Sequence, residues 1–444
     1  MNHFQRVLIL GTGPISVQLA VNFKNDLNCD VGLAGRESAR SERFFEALRQ
    51  SHHQIHASIQ NDQHQPLKGE CVVQRVFKGY ETIEGEWDTI IFSVTTDAYM
   101  SVLKQIDEHV LKQVKCIVLV SPTFGSNSLL THYLDSIRSK AEVISFSTYY
   151  GDTRWMRDEP SHEVLTTGVK KKVFIGSSRY PSEHIDTMCK LFEKLGIVLE
   201  VMKSPIEAET RNISLYVHPP LFMNDFSLQA IFGDTDRQTY VYKLFPEGPI
   251  TQQLIRDMLA QWKEIMAILQ KINIKTINLL KFMVDDNYPL RLESLSRHDI
   301  EHFNDLEPIH QEYLLYVRYA SLLIDPFSEP DQDGRYFDFS AVPIRKTFIN
   351  REGYLDIPRM PKEDYYRIKI IQGIAKDLDV DCPTINQLIQ TYERKIEEVA
   401  QARQGDLLSG AFVVQHFAED LKMICGELRK NQKQRQRHDH SLSE

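Results

Sequence analysis

Short apolar runs alternate with longer amphipathic stretches along the first half of the chain. Six of the runs have the length and turn-rich borders of buried strands. They are Val7–Leu10, Asp30–Ala34, Cys71–Phe77, Thr89–Ser93, Cys116–Val120 and Glu142–Thr148. Helical periodicity lies between them, as in Glu42–Gln50 and Tyr99–Ile106. This alternation predicts a mainly parallel sheet covered by helices on both faces. A further strand pair, Glu163–Thr167 and Lys172–Gly176, is expected to extend that sheet.

From Ser204 the pattern changes to long helical segments. They are Pro249–Lys271, Ile274–Val284, Glu307–Leu323, Lys362–Lys376 and Thr384–Gln404. The interrupted stretch Pro326–Tyr354 is expected to form a hairpin or an ordered loop, and the polar residues from Arg429 have no apolar face to bury. The sequence therefore predicts an α/β domain in residues 1–203, a mostly α-helical domain in residues 204–428, and a disordered tail in residues 429–444.

The first predicted strand runs directly into a glycine turn. The turn reads Gly11-Thr12-Gly13-Pro14-Ile15. Gly11 permits the tight turn, Gly13 leaves room for a pyrophosphate, and the following helix offers unpaired N–H groups at its N-terminus. Ser16 stands where the dinucleotide-binding fingerprint has Gly or Ala, and it is still small enough for close packing. The pattern predicts a Rossmann-like nucleotide site, although an isolated Gly-x-Gly is also found in ordinary loops.

The end of the second predicted strand indicates which nucleotide binds. An NAD-binding domain usually has an acidic residue there, which accepts hydrogen bonds from the ribose. This chain has Arg36 instead, followed by Arg40 and Arg43. Cations at this position suit a 2′-phosphate, so the sequence predicts NADP(H). Arg40 and Arg43 would also fit an ordinary solvated helix face.

Three later predicted strands end in polar segments. They are Ser93–Asp97, Ser121–Gly125 and Ser147–Arg154. Because ligands of parallel α/β sheets bind beyond the carboxyl ends of the strands, these segments are expected to face the nucleotide. Ser121 and Pro122 are the candidate cofactor contacts among them.

The segment Ala208–Phe226 carries the richest set of polar residues in an otherwise apolar stretch. His218 exchanges a proton near neutral pH, and the two prolines after it would fix the backbone around it. An Asp152 buried at a strand end is expected to orient the imidazole and to stabilise its charged form. A histidine beside prolines is also often purely structural.

Charge and cysteine content exclude several classes of protein. The net charge of −9 argues against general affinity for nucleic acid. No apolar run approaches the ~20 residues of a membrane span, and the run before Gly11 is too short for a signal peptide. Six scattered cysteines without a Cys-x-x-Cys pair favour reduced thiols in a cytoplasm.

No metal site is predicted, because neither the cysteines nor the histidines have the spacing of metal ligands. The histidines at positions 52, 53, 56 and 64 are expected on a solvated loop or helix face.

Long specific motifs resemble those of the opine metallophore dehydrogenases, the staphylopine and pseudopaline type of opine dehydrogenase. The matching segments are Gly11–Pro14, Ser121–Ser126, Ser145–Arg154, Leu165–Lys172, Ala208–Asn212, Tyr216–Asp225, Tyr240–Ile250, Glu312–Tyr319, Ile324–Ser328 and Tyr336–Ser340. The resemblance covers nearly the whole chain except the tail and is greatest to the staphylopine branch.

The resemblance implies an NADPH-dependent reductive condensation. A nicotianamine-like amine, histidine carrying an aminobutyrate unit from a nicotianamine-synthase-like enzyme, would condense with a 2-oxo acid. An imine would form and be reduced to a metal chelator. By the resemblance His218 and Asp152 are the catalytic pair, and the enzyme is a cytoplasmic homodimer.

The condensation also needs groups that hold the substrates. Arg154, then Arg211, are the candidate cations for the 2-oxo acid carboxylate, with Tyr216 and Asn224 as further substrate contacts. Internal ion pairs are the alternative for both arginines.

Two other functions stay open on residue patterns alone. One is an opine dehydrogenase acting on a simple amino acid, and the other is a non-catalytic NADPH-sensing regulator. The choice between pyruvate and 2-oxoglutarate is not visible in the sequence.

Overall fold

The computed structural model describes residues 3–157, 159–234, 237–326 and 328–441, with side chains through residue 432. Position 327 of one family motif and the last three residues of the predicted tail lie outside this description. The chain divides into two compact units. The first comprises residues up to Asn212 together with those from Lys422 on, and the second is Ile213–Leu421. The predicted boundary after residue 203 lies earlier in the chain than the division at Asn212, because the short helix Pro205–Glu209 belongs to the first unit.

The first unit is built on an eight-stranded sheet and a smaller four-stranded one. Its strands are β1 (Arg6–Leu10), β2 (Asp30–Gly35), β3 (Gln54–Ile59), β4 (Gly69–Val72), β5 (Arg75–Lys78), β6 (Thr89–Phe92), β7 (Cys116–Leu119), β8 (Glu142–Phe146), β9 (Gly151–Trp155), β10 (Glu163–Val169), β11 (Lys172–Ser177) and β12 (Val198–Val201). The large sheet has the order β12-β11-β8-β7-β6-β1-β2-β5. From β8 to β5 its neighbours are parallel, whereas β11 joins β8 antiparallel. The predicted α/β class with a mainly parallel sheet is confirmed.

Helices of the first unit follow most of these strands. They are α1 (Pro14–Leu27), α2 (Ala39–Gln50), α3 (Tyr99–Leu103), α4 (Glu108–Gln113), α5 (Ser126–Ser136), α6 (Glu183–Lys194) and α7 (Pro205–Glu209). Short 3₁₀ turns occur at Asp62–Leu67, Tyr80–Thr82 and Thr96–Ala98. Helix α2 begins at a sequence-encoded cap, because the Ser38 side chain accepts a hydrogen bond from the Ser41 N–H.

The smaller sheet, of order β4-β3-β10-β9, covers the far side of helix α1. Gln18 and Asn22 of α1 are buried there and bond to the sheet and the residues beside it: Gln18 Oε1 accepts from Thr166, and Asn22 Nδ2 donates to the Tyr150 hydroxyl at 2.6 Å. Paired polar groups on an otherwise apolar helix show that α1 is enclosed on two sides, which its sequence pattern did not reveal.

Two strand predictions and one loop prediction need correction. Cys71–Phe77 splits into β4 and β5, which belong to different sheets, and between them the Gln74 side-chain oxygen accepts the N–H of Val31 in β2. Glu163–Thr167 joins the small sheet as β10 and does not extend the large one. The histidine-rich stretch predicted as a loop or helix face contains strand β3. Alternating polar residues make β3 resemble a loop in sequence, although it is an inner strand of the small sheet.

The second unit is mostly helical, as predicted. Its helices are α8 (Ser214–Phe222), α9 (Asp225–Phe232), α10 (Gln252–Lys271), α11 (Leu279–Asp285), α12 (Arg297–Glu301), α13 (Pro308–Ala320), α14 (Arg359–Asp377) and α15 (Pro383–Ala402). The segment predicted as a hairpin or ordered loop is largely irregular and ends in a two-residue ladder of β13 (Phe348–Ile349) with β14 (Leu355–Asp356). The N-terminus of α15 is capped by a carboxylate of α10, because Glu264 accepts the N–H groups of Thr384 and Ile385.

The last helix, α16 (Ala418–Ser441), begins in the second unit and continues into the first. The sequence predicted a disordered tail from Arg429, but in the structure this helix continues through Ser441. Its Gln, Lys and Arg residues are good helix formers although they offer no apolar face. Lys430 of this helix donates to Asp135 of α5.

Among the described residues, no helix is both long enough and apolar enough to cross a membrane. The same part of the chain holds no group of three metal-ligating side chains placed around one ion.

Candidate active site

The glycine turn lies between β1 and α1, as the sequence predicted. Gly11 has a φ of +135°, which side chains rarely adopt, and its N–H donates to the Ala34 carbonyl at 2.8 Å. Gly13 is the residue before α1, no side chain caps that helix, and a Cβ added to Gly13 would meet no atom within 4 Å. Backbone N–H groups of a helix N-terminus therefore adjoin open space, the arrangement that suits an anion.

Two serines explain the departure at the third fingerprint position. Ser16 is fully buried, and its hydroxyl lies 2.8 Å from the hydroxyl of Ser93, which donates to the Leu10 carbonyl. The hydroxyl that replaces Gly or Ala is thus paired at the carboxyl ends of β1 and β6. Gly35 faces the turn, where a Cβ would lie 2.1 Å from the Thr12 methyl group. The close approach of β2 to the turn explains why glycine stands there.

The predicted phosphate-binding arginines have different surroundings. Arg36 is exposed at the end of β2, and strand pairing brings Lys78, held by Glu42 and Glu37, beside the neighbouring Gly35. Arg43 forms an exposed ion pair with Glu159 at 3.0 Å. Arg40 is exposed on α2. Lys78 is a cation of this edge that the sequence did not single out, because only sheet pairing places it there.

A buried carboxylate fixes the segment that contains Ser121 and Pro122. Glu209, fully buried, accepts the N–H groups of Gly125 and Asn127 and the Ser145 hydroxyl at 2.7–2.9 Å. Burial raises the pKa of Glu209 to about 8, although these hydrogen bonds lower it. Glu209 therefore occupies the N-terminus of α5 from within the protein.

Ser121 and Pro122 are held as part of the same segment. The Ser121 hydroxyl accepts the Tyr149 N–H at 3.2 Å, and Pro122 is buried. Their contact with the cofactor stays a prediction.

The other site centres on His218 in helix α8. Pro219 and Pro220 lack N–H groups, so the carbonyls one turn earlier have no helical partner. The side-chain amide of the fully buried Gln261 on α10 supplies that partner, donating to Leu215 at 2.7 Å and more weakly to Tyr216 at 3.5 Å. The prolines therefore fix α8 through a specific contact, and the position of His218 is fixed with it.

His218 faces a carboxylate that the sequence did not predict. Its Nδ1 lies 3.4 Å from Oδ1 of Asp364 on α14, an ion-pair distance longer than a short hydrogen bond. Asp364 is fully buried, and Arg367 donates to the same oxygen at 2.8 Å. Burial by itself would raise the pKa of the Asp364 carboxyl, but the adjacent His218 and Arg367 outweigh it and lower the pKa below its ordinary value.

This arrangement has a clear chemical consequence. A carboxylate beside Nδ1 orients the imidazole ring, which leaves Nε2 to accept and donate protons. The signal in the sequence was a carboxylate on the apolar face of a predicted helix. Asp364, Ile368 and Ile371 are all buried on α14.

The predicted partner Asp152 has a different environment from the one expected. It is exposed rather than buried, lies in β9 of the small sheet, and accepts the Thr167 hydroxyl at 2.9 Å. The chain leaves the large sheet after Phe146, so Asp152 does not follow the end of a strand of that sheet. Its pairing with His218 stays a prediction.

The four predicted substrate contacts are also differently placed. Arg154 is exposed on β9, and no described residue forms a hydrogen bond or ion pair with its side chain. Arg211 lies 3.7 Å from Glu207 in a half-buried internal pair. Tyr216 is fully buried and meets the Phe282 ring edge-on, which is a core position. Asn224 caps α9, accepting the Ser227 N–H with its side-chain oxygen. None of these roles toward substrate is tested by the geometry.

Comparison with known proteins decides the family. A family model described as staphylopine dehydrogenase matches residues 5–428. The chain belongs to this family. It is 47% identical over 428 residues to a staphylopine synthase of Staphylococcus aureus, covering 96% of this chain and 99% of that protein.

Two further relatives extend the family likeness. A pseudopaline synthase of Pseudomonas aeruginosa is 34% identical, with 88% of this chain and 89% of that protein covered. Among solved structures, a yersinopine dehydrogenase with NADP+ bound has a TM-score of 0.89 and 27% identity, covering 97% of this chain and all of that one. These comparisons confirm the family that the motifs predicted. They also confirm the predicted fold class, an α/β part followed by a mostly helical part.

Proposed function

We propose that this protein is an NADPH-dependent opine metallophore dehydrogenase. It joins histidine carrying an aminobutyrate unit to a 2-oxo acid, pyruvate or 2-oxoglutarate, and reduces the imine to a staphylopine-like chelator. The observation that carries the proposal is the buried Asp364 carboxylate facing His218 in a chain of this family. A homodimer, a cytoplasmic location and supply of the amine by a nicotianamine-synthase-like enzyme belong to the same proposal.

The residues of the glycine turn fit NADPH. Gly13 and the uncapped N-terminus of α1 offer open space and N–H groups for the pyrophosphate, and the exposed Arg36 offers a cation for the 2′-phosphate. When bound, the reduced nicotinamide supplies hydride to the imine carbon. Relatives support the choice of nucleotide, because the yersinopine dehydrogenase structure contains NADP+.

His218 manages the protons of the condensation. Its Nε2 accepts a proton from the substrate ammonium, and the free amine adds to the oxo acid carbonyl to give a carbinolamine. The same nitrogen returns the proton to the carbinolamine hydroxyl, which leaves as water. Asp364 stabilises the imidazolium between the two steps, and its buried position keeps the ring oriented. Asp152 stays the alternative partner of His218.

Arg154 remains the proposed cation for the 2-oxo acid carboxylate. Its exposed guanidinium is unengaged among the described residues, whereas Arg211 is half-buried beside Glu207. Tyr216 and Asn224 are weaker candidates, because the first is in the core and the second holds a helix cap.

A paired assay tests the function. Purified protein is given NADPH with pyruvate or 2-oxoglutarate, each with and without the histidine–aminobutyrate amine, and the products are identified by mass spectrometry. We expect NADPH oxidation only when amine and oxo acid are both present, with one oxo acid strongly preferred. Equal turnover with free histidine would favour a simple opine dehydrogenase, and NADPH binding without turnover for any pair would favour a regulator.

A further inference from the structure

Helix α13 carries a buried cation that has no carboxylate partner among the described residues. Arg318 is only 5% exposed, and its guanidinium carbon lies 4.8 Å from the centre of the Tyr319 ring. Its Nε is buried without a hydrogen-bond partner. Throughout the part of the chain that the structure describes, no side chain forms an ion pair with it. The motif that contains it, Glu312–Tyr319, has no part in the function argued so far.

A second arginine of the same unit shows the usual solution. Arg367 is buried to the same extent, 5% exposed, and donates to Asp364 at 2.8 Å and to Glu363 at 2.5 Å. Burying a guanidinium without a counter-charge is unfavourable, so paired arginines are the rule in protein interiors. An unpaired one, held in place by packing, is therefore expected to meet an anion that comes from outside the chain.

Arg318 belongs to the same helical packing as His218. Helix α10 packs against both α13, which carries Arg318, and α8, which carries His218. A guanidinium in this packing offers paired N–H donors that match the two oxygens of a carboxylate.

We propose that Arg318 binds a carboxylate of the substrate. This inference rests on the proposed function and adds to it the residue that recognises one acidic group. The carboxylate comes either from the 2-oxo acid or from the amine, and the experiment separates these sources. Arg318 is a binding residue in this scheme, and the proton transfers stay with His218.

Steady-state kinetics of Arg318→Gln test the proposal, with Arg256→Gln as the matched control. Arg256 lies on α10 of the same unit and forms a half-exposed pair with Glu312. We expect the KM of one substrate to rise about 10-fold or more in Arg318→Gln, as for loss of a charge-assisted hydrogen bond. A rise confined to the oxo acid assigns its carboxylate, and a rise confined to the amine assigns one of the amine carboxylates. Arg256→Gln should leave both KM values unchanged.

Stability and direct binding separate this role from a structural one. Arg318→Gln removes an unpaired buried charge, so its melting temperature should not fall. Pyruvate, 2-oxoglutarate or the amine should raise the melting temperature of the NADP+-loaded wild type and have little effect on the variant. Unchanged KM values for both substrates, or a lower melting temperature with normal kinetics, would overturn the proposal.

Two further outcomes are decisive as well. If Arg318→Gln does not fold, Arg318→Lys keeps the charge and loses the planar fork; it should still raise one KM, and an unchanged KM overturns the inference. If the wild type turns over no substrate pair, the proposed function fails. A thermal shift by a carboxylate that Arg318→Gln abolishes would then still support the anion site, and its absence would end that too.

Discussion

The glycine turn of the first unit and the surroundings of His218 in the second are built in opposite ways. In the turn, residues close together in sequence present backbone N–H groups, and their side chains matter mainly by being small, as at Gly11, Gly13 and Gly35. Around His218, the groups that hold the imidazole and its helix are side chains from α8, α10 and α14. One site depends on local backbone shape and the other on the packing of distant helices.

This difference has a practical consequence for mutagenesis. A site made of backbone groups has few side chains that a substitution can remove. The glycine turn is therefore tested by substitution of the charged residue at its edge, Arg36. The proposed His218 site consists of side chains in contact, and if they act together, single substitutions there should have large and non-additive effects. The outcomes below are ordered by expected size.

The largest effect is expected for His218→Ala. If Nε2 carries the protons of the condensation, kcat should fall by about 10²–10⁴-fold. NADPH affinity should barely change, because the glycine turn belongs to the first unit. Turnover, NADPH binding and melting temperature are measured on one preparation. A folded variant that binds NADPH and turns over normally would remove His218 from the mechanism.

The identity of the carboxylate partner comes next. Asp364→Asn should lower kcat on the order of 10²-fold, because the imidazolium loses the anion 3.4 Å from Nδ1. The double variant with His218→Ala should lose less than the product of the two single losses. Breaking a buried ion pair costs about 3–5 kcal/mol, so circular dichroism and melting temperature are needed beside the kinetics.

Asp152→Asn is the matched comparison for that experiment. Its carboxylate is exposed and bonded to Thr167, so its replacement should affect stability little. If Asp152→Asn is the more damaging of the two, and is the one that is non-additive with His218→Ala, the partner is Asp152. The assignment to Asp364 would then be wrong.

A smaller and more selective loss is expected at the edge of the nucleotide site. Arg36→Ala should weaken NADPH binding by about 1.5–3 kcal/mol, the value of a charge-assisted contact, and leave NADH binding unchanged. Arg43→Ala is a useful control, because Arg43 is already paired with Glu159. Titration of both nucleotides by fluorescence measures the four affinities. Equal weakening of NADPH and NADH by Arg36→Ala would contradict the 2′-phosphate assignment.

The smallest effect on activity is expected from Glu209, which concerns the pH dependence of folding. Its pKa is raised from 4.5 to about 8 in the folded protein. Between these values the folded state keeps a proton that the unfolded state loses, so this contribution to stability is present at low pH and declines as pH rises. The stability of wild type minus that of Glu209→Gln should fall from pH 5 to pH 8, by at most about 1.4 kcal/mol per pH unit.

Denaturant unfolding at several pH values measures that difference. A difference that grows with pH would mean that Glu209 is ionised in the folded protein. Its three donors would then dominate over burial.

The sequence by itself determined the features that short segments encode. Apolar runs and periodicity predicted the parallel sheet and the long helices α10, α13, α14 and α15. The glycine turn and Arg36 predicted the nucleotide site, and long motifs identified the family. Each of these predictions depends on residues that are neighbours along the chain, and helix and strand geometry fixes the spacing of such residues.

Only the tertiary structure decided which side chains meet. Asp364 reaches His218 because α14 packs on α8, and Gln261 supports the prolines because α10 packs there as well. Asp152 lies in the small sheet, which forms because β10 pairs with β3 from a distant part of the chain. Such contacts join residues far apart in the chain, and no local periodicity records them.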